Sequence, residues 1–473
     1  MKPNLKSHLA HPTALVIFGG TGDLAATKLL PALLELFIVG ALPAQFVIIG
    51  LSRKKFSDED YREYVTQALA RNGRHHPPEV VTNFCTHIKY LAGSFDDALT
   101  YEKIKETLIG FDNSIGQCTN KLFYLAVPPQ YYESIFSLLS SSTVMELCDG
   151  LESWARLLVE KPFGKDLATA AALEEKLCAA FRDEQIYRID HYLAKDAIEN
   201  IISLRFSNSV LADSWNKERI ESISISLLET KDVSHRGSFY DGIGTLRDVG
   251  QNHVLQILAL LTMAPTDILN GEAVRSARAK ALSALKDVEL TEIIRGQYRG
   301  FTETSGVAPD SSTETYFKIS YIAKCENWEG VRVTLEAGKA LAVAKQEVLV
   351  TFKPVAMCYC ASLPQPHEHR NYLRIAFTPE QVLTLSLWLK QPGFVFRLQE
   401  QELEFMREPS PDTYSPEAYE RVLFDCIIGD QTRFVSGAEV EAAWEFITPI
   451  LEVFKDLPLH QYAVGSRGPK VTE

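Results

Sequence analysis

Ala14-Leu15-Val16-Ile17-Phe18-Gly19-Gly20-Thr21-Gly22-Asp23-Leu24-Ala25 decides the fold. A short apolar run ends in a glycine turn, and Lys28 to Leu36 then follows a helical apolar pattern. Phe46-Val47-Ile48-Ile49-Gly50 is a second apolar run. Strand, glycine turn, helix and strand make one βαβ unit with both strands buried. The turn fits G-x-G-x-x-A from Gly20 to Ala25, or a G-x-x-G-D-L register anchored on Gly19 and Gly22. Glycines let a backbone approach a pyrophosphate, and the helix start supplies N–H donors. This setting predicts a dinucleotide site.

Working outward, the alternation continues. Tyr61–Leu69 reads as helix and Ile88–Gly93 as strand. Leu122–Val127 is a buried strand stopped by Pro128 and Pro129, a helix follows near Tyr132–Leu139, and Arg156–Glu160 is a further strand before Pro162. Strands alternating with helices to about residue 180 predict a doubly wound parallel sheet. Beyond it, Ile223–Leu227, Phe317–Tyr321, Val331–Leu335, Val348–Phe352 and Leu383–Leu389 alternate with period two, interrupted by a helix over Val249–Leu261. That pattern predicts a mostly antiparallel sheet. The expected architecture is an α/β Rossmann-like domain over residues 1–185 and a larger α+β domain over 186–473. The tail from Ser466 to Glu473 reads as frayed.

Length and charge bound the function. A chain of 473 residues is too long for one ordinary core. No apolar run reaches the length of a membrane span, and Met1 to Pro12 has no apolar leader core, so a cytoplasmic protein is expected. A net charge of −13 argues against nucleic acid and anionic membranes as partners. An anionic ligand then needs a local basic pocket. The eight cysteines are scattered, with Cys358 and Cys360 the closest pair, and no two CxxC units occur. No metal site is expected, and the thiols read as reduced and mostly buried.

Four stretches carry chemistry. After the second strand the chain reads Gly50-Leu51-Ser52-Arg53-Lys54-Lys55, with no acid for ribose hydroxyls. Arg53 there suits a 2′-phosphate, which favours NADP. In Glu160-Lys161-Pro162-Phe163-Gly164, Lys161 extends from a strand end over the crevice. In Arg188-Ile189-Asp190-His191-Tyr192-Leu193-Ala194-Lys195, the apolar residues that follow predict a helix start. His191 and Lys195 would then share one face and hold a phosphate, with Asp190 as N-cap. Arg188 has no reading beyond an ion pair. In Leu246 to Gln256, His253 is a base titrating near neutral pH, and Asp190 and Asp248 are both candidates to orient it. Each piece alone also has a bland reading: a cap, a surface lysine, a core histidine.

Together and in this order, these motifs resemble the glucose-6-phosphate dehydrogenase family. Asn327-Trp328-Glu329-Gly330-Val331, Gly338-Lys339-Ala340-Leu341, Lys390-Gln391-Pro392-Gly393 and Tyr419-Glu420-Arg421 extend the match to about residues 14–455. The resemblance implies oxidation of glucose 6-phosphate at C1 with hydride transfer to NADP⁺. By matching position it makes His253 the general base and pairs Asp190 with it. It places His191, Tyr192 and Lys195 on the sugar phosphate and Lys161 between sugar and nicotinamide. Glu229 and Asp248 would bind sugar hydroxyls, and Lys339 would close the site. The cofactor contacts implied are Gly19, Gly20, Thr21, Gly22, Asp23, Leu24, Ala25, Ala26, Arg53 and Tyr132, with Lys161. The family also implies a homodimer or homotetramer.

The chain departs from the family in places. Ala26 and Thr27 stand where basic residues are frequent, although Lys28 remains. Ala344 stands where many members have Arg or Lys, with Lys345 beside it as a substitute. Ala376 and Ser386 replace the basic residues of a second, structural NADP⁺ site, so no such site is expected. Two other readings are a related oxidoreductase on another sugar and a catalytically silent relative. The Lys195 and His191 pair disfavours the first, and Lys161, Asp190 and His253 disfavour the second.

Overall fold

The structure, a computed structural model, describes residues 9–145, 153–357, 369–406 and 414–470. Its first layer grows from the opening βαβ unit. Strands β1 (Thr13–Phe18), β2 (Phe46–Ser52), β3 (Ile88–Ala92), β4 (Asn120–Leu125), β5 (Ala155–Val159) and β6 (Ile186–Ile189) form one sheet in the order β6-β5-β4-β1-β2-β3. All of these neighbours are parallel. β1, β2 and β4 are buried at every residue, which is why they read as continuous apolar runs. Strand order reverses between β1 and β4, and a crevice opens there at the carboxyl ends.

The second sheet contains β7 (Ile220–Leu228), β8 (Glu289–Tyr298), β9 (Tyr316–Ile322), β10 (Arg332–Gly338), β11 (Lys345–Phe352), β12 (Tyr372–Thr378), β13 (Val382–Lys390) and β14 (Leu398–Met406). The short β15 (Phe434–Val435) then returns to the first sheet, antiparallel to β6. β16 (Leu459–Tyr462) completes the second, whose order is β14-β13-β12-β11-β7-β10-β9-β8-β16. This sheet is mostly antiparallel; β7–β10 and β8–β16 are its parallel pairs.

The expected division at residue 185 falls just before β6, which belongs to the first sheet. A chain crossing from one sheet to the other thus changes layer directly after Ile189. The helical segment Leu246–Val254, continued by Leu255–Thr262, covers the second sheet. Gly250 permits the contact, because a Cβ there would stand 2.9 Å from the Phe317 ring on β9. The helix Gly437–Asp456 ties the layers together: Trp444 Nε1 donates to the Phe163 carbonyl at 2.8 Å, and Thr448 Oγ1 accepts from Leu167 N at 3.0 Å.

Two expectations need correction. Cys118 is disulfide-bonded, so the thiols are not all reduced; Cys85, Cys178, Cys325 and Cys426 are free, and Cys178 is exposed. Cys358 and Cys360 lie outside the described residues. The start of the tail is tied down, since Ser466 bridges Leu341 and its carbonyl accepts from Ala342 N at 2.8 Å. Residues 471–473 lie outside the described residues. No helix among the described residues is long and apolar enough to cross a membrane.

Candidate active site

The glycine turn sits at the strand-order reversal. Gly19 has φ +87°, and a Cβ there would meet the Ala126 carbonyl oxygen at 2.2 Å, so only glycine lets the turn close over the end of β4. Gly19 N and Gly20 N both donate to the Leu51 carbonyl, and Gly22 N to Gly19, which locks the turn onto β2. Asp23, Leu24, Ala25 and Ala26 begin the helical segment that continues through Leu30–Ile38. Its first N–H groups are available to an anion. Thr21 Oγ1 lies 2.9 Å from Ser52 Oγ, itself 2.8 Å from the Tyr90 hydroxyl. This hydroxyl chain joins the turn to the end of β2, where Arg53 stands exposed. A cradle of backbone donors with an exposed guanidinium at its rim fits a phosphorylated dinucleotide.

The neighbouring strand ends supply the reactive groups. β5 delivers Lys161 and β6 delivers Asp190. Adjacent strands are about 4.8 Å apart, so both stand within roughly 15 Å of the turn after β1. The helix on the second sheet brings His253 to meet them. Its Nδ1 lies 2.6 Å from Asp190 Oδ1. Asp190 Oδ1 also accepts from Tyr192 N at 3.0 Å. Lys161 Nζ lies 3.1 Å from His253 Nε2, 2.9 Å from the Asp248 carbonyl oxygen and 3.3 Å from Asp248 Oδ1. Asp190 is therefore the carboxylate on the imidazole, and Asp248 serves the lysine.

The charges are consistent with a base. Burial opposes ionisation of Asp190, but His253 holds its carboxyl well below the usual range. Burial pulls the His253 ring below its ordinary value, with Asp190 opposing the shift and Lys161 adding to it. The result is a neutral imidazole beside an anionic carboxylate. Its Nδ1–H is donated to Asp190, which leaves the Nε2 lone pair toward Lys161. Burial likewise resists charge on Asp248, while Lys161 and Lys339 hold that carboxyl low. Such a site can take a proton at Nε2 and stabilise the imidazolium that forms.

Around this centre stand further polar groups. The Tyr192 ring stacks on His253 at 4.1 Å between centroids, and His191 meets it edge-on at 4.8 Å. Lys195 Nζ lies 3.6 Å from the Tyr192 ring centroid and 3.4 Å from Gln346 Oε1. Burial pulls the His191 ring down to about 3 and also lowers the Lys195 ammonium. Glu229 Oε1 accepts from Lys339 Nζ at 2.8 Å.

Several sequence expectations change here. Arg188–Lys195 is not a helix start: β6 ends at Ile189, turns follow, and the helix is Asp196–Phe206 with Lys195 at its N-cap. Asp190 accepts from Tyr192 N in a turn instead of capping that helix. His191 and Lys195 are not related by helical spacing: His191 meets the His253 ring and Lys195 lies over the Tyr192 ring. Tyr132 has no exposed side chain; its hydroxyl donates to the Glu160 carbonyl at 2.8 Å, on the inner face of its helix. Lys345 pairs with Glu347 at 2.7 Å. Strand alternation turns both from the face on which Gln346 reaches Lys195. Arg188 is fully buried and pairs with Glu174 and Asp183.

Gln346 and Tyr419 escaped the sequence reading of the site. Tyr419 lies parallel to His191 at 6.1 Å and shares with Lys28 the wall of a cavity of about 150 Å³. Its Tyr-Glu-Arg context was visible, but no local pattern places it on His191. A cavity of about 600 Å³ between the helix Gly271–Ser283 and residues 323–328 contains none of the site residues. Among the described residues, no group of three or more His, Cys, Asp or Glu side chains could hold a metal ion.

Comparison with known proteins follows the same outline. The family model described as "Glucose-6-phosphate dehydrogenase, NAD binding domain" matches residues 16–200, and "Glucose-6-phosphate dehydrogenase, C-terminal domain" matches residues 202–473. The chain is 35% identical to glucose-6-phosphate 1-dehydrogenase of Chlamydia pneumoniae, covering 97% of this chain and 93% of that one. It is 34% identical to "Glucose-6-phosphate 1-dehydrogenase 6, cytoplasmic" of Arabidopsis thaliana, covering 97% and 89%. A solved structure described as glucose-6-phosphate dehydrogenase in complex with its substrate glucose-6-phosphate superposes with a TM-score of 0.88 at 34% identity, covering 97% of this chain and 95% of that one.

Proposed function

Since the chain belongs to the glucose-6-phosphate dehydrogenase family, we propose that it oxidises D-glucose 6-phosphate at C1 to 6-phospho-D-glucono-1,5-lactone. The observation that carries this reading is the buried Asp190–His253 pair, set beside Lys161 at the strand ends next to the nucleotide turn. NADP⁺, which the Gly19–Ala26 turn and Arg53 would hold, would supply the acceptor for the hydride from C1.

The chain's own residues do the rest. Neutral His253 takes the C1 hydroxyl proton at Nε2, where Lys161 now donates. Asp190 holds the Nδ1–H and stabilises the imidazolium, so the proton leaves as the C1–O double bond forms. Lys161 bridges the sugar and the nicotinamide end. Asp248 and Glu229 accept sugar hydroxyls, with Lys339 over them. His191, Tyr192 and Lys195 grip the phosphate at the far end of the sugar. That grip supplies binding energy that orients C1. The Gly19–Ala26 turn and Arg53 hold the dinucleotide. Residues 186–189 continue the first domain in strand β6, and the substrate-binding domain follows.

The protein would act as a homodimer or homotetramer; a cytoplasmic setting is in keeping with its Arabidopsis relative's name. Exposed Leu389, Phe394, Val395, Leu403, Phe405 and Met406 cluster at the β13–β14 edge of the large sheet and support self-association there. Light scattering on the purified protein reads the oligomer, and a monomer at all concentrations contradicts it. Turnover is tested by mixing protein with glucose 6-phosphate and NADP⁺ or NAD⁺ and following reduced-cofactor absorbance. Absence of turnover with both would remove the reading.

A further inference from the structure

The Asp190 carboxylate is only half accounted for. Oδ1 receives two hydrogen bonds, from His253 Nδ1 and Tyr192 N. Oδ2 is buried and has no hydrogen-bond partner among the described residues. A bare, buried oxygen on an ionised carboxylate is costly and needs a donor. On the helix that carries His253, three residues further on, Gln256 is also buried. Its Oε1 likewise has no partner among the described residues. His253 lies at the end of a π-helical stretch, Leu246–Val254, and Gln256 in the first turn of the α-helix that continues it.

Asp190 and Gln256 line one small cavity, of about 10 Å³. Val435, Val440 and Ala443 give it apolar walls, and Lys161, Gln251, Asn252 and Glu439 also reach it. That space is about one water sphere, too small for any organic group. Two acceptors facing one such space call for a neutral species with two donors, and water is that species. Among the described residues, no group of three or more His, Cys, Asp or Glu side chains could hold a metal ion there.

We propose that Gln256 is a positioning residue that holds the Asp190 carboxylate, through one buried water molecule in this cavity, in the plane that suits the His253 ring. The water donates one O–H to Asp190 Oδ2 and the other to Gln256 Oε1. It anchors the carboxylate from behind, while His253 and the Tyr192 amide anchor it in front. Carboxylate rotation about its Cβ–Cγ bond is thereby blocked, and Oδ1 stays on Nδ1 as the ring gains charge. His191 and Lys195, the phosphate groups, are absent from the cavity lining, whereas Lys161 is part of it. Loss of Gln256 therefore acts chiefly on turnover and leaves the phosphate grip intact. The catalytic meaning rests on the function proposed above; the water itself does not.

Two substitutions separate hydrogen bonding from packing. Gln256→Met keeps the volume and removes the acceptor; Gln256→Asn loses volume and keeps an amide. The expected result is a kcat about tenfold lower in Gln256→Met, with KM for glucose 6-phosphate within about twofold and the acid limb of the pH profile displaced. Gln256→Asn recovers part of the loss, because the enlarged space admits water. Gln256→Met with wild-type kcat and pH profile, or with more activity than Gln256→Asn, overturns the proposal. A high-resolution crystal structure of the wild-type protein decides the matter even if both variants fail to fold. It should show one ordered water within hydrogen-bonding distance of Asp190 Oδ2 and the Gln256 amide, and an empty or apolar-filled space refutes it. If the wild-type protein itself does not turn over glucose 6-phosphate, the proposed function fails while this structural result still reads out.

Discussion

His253 and Asp190 meet at 2.6 Å, Nδ1 to Oδ1, although 63 residues separate them in sequence. One is carried by a helix of the second sheet and the other by the end of a strand in the first. The pair therefore exists only when both layers are packed together. Its charge state follows from its burial: an anion on Nδ1 and a lone pair on Nε2.

The acid limb of the kcat/KM profile should reflect this. The ring must be neutral to act, and burial places its value below 6.5. A lowered value means that less acid-side activity is lost, so rate should hold through pH 6.5 and fall only below it. A limb centred at or above 6.5 would count against a buried neutral base.

Lys195 is predicted to serve the phosphate alone. Lys195→Gln should raise KM for glucose 6-phosphate about 10- to 100-fold, the worth of a charge-assisted hydrogen bond. Slow oxidation of unphosphorylated glucose should change little. Equal damage to both substrates would show that Lys195 does not read the phosphate.

Arg53 stands exposed at the end of β2. Arg53→Ala should weaken NADP⁺ about tenfold or more and NAD⁺ little, because only the first has a 2′-phosphate. Titration by reduced-cofactor turnover at varied NADP⁺ and NAD⁺ checks this. Parallel weakening of both would assign the 2′-phosphate elsewhere.

Much of this site was legible in the chain, and the misses share a cause. The β1 turn, Lys161 after β5 and His253 on its helix rest on local patterns that burial and turn geometry enforce. Gln346 and Lys345 are neighbours, and only the phase of β11 decides which faces Lys195. Phase depends on pairing with β7 and β12, which no local run reveals. Tyr132 entered only through the family resemblance, and its hydroxyl here donates to the Glu160 carbonyl from the inner face of its helix. The helix expected at Asp190 starts at Asp196 because Asp190 bonds its own turn. Tyr419 and β15 come from the far end of the chain, so only tertiary packing brings them to β6 and His191.

Stability should carry a signature of Glu314, whose Oε1 accepts from Leu246 N at 3.1 Å under the start of the His253 helix. Burial raises this carboxyl from 4.5 to about 7. A raised acid contributes stability that is fully present below 4.5 and is lost as pH rises through about 7. Asp425, raised by burial to about 7, acts with the same sign. Thermal melts of Glu314→Gln should therefore lose less stability than wild type between about pH 5 and 8. Identical slopes would mean that Glu314 is ionised in the folded protein throughout that range.

The central claim is that His253 takes the C1 proton, and His253→Asn tests it most directly. Steady-state turnover with glucose 6-phosphate and NADP⁺, set beside equilibrium binding of glucose 6-phosphate to the same variant, separates chemistry from affinity. The expected result is a kcat lower by about 10³–10⁴-fold with binding within about threefold of wild type. Turnover close to wild type would contradict the account.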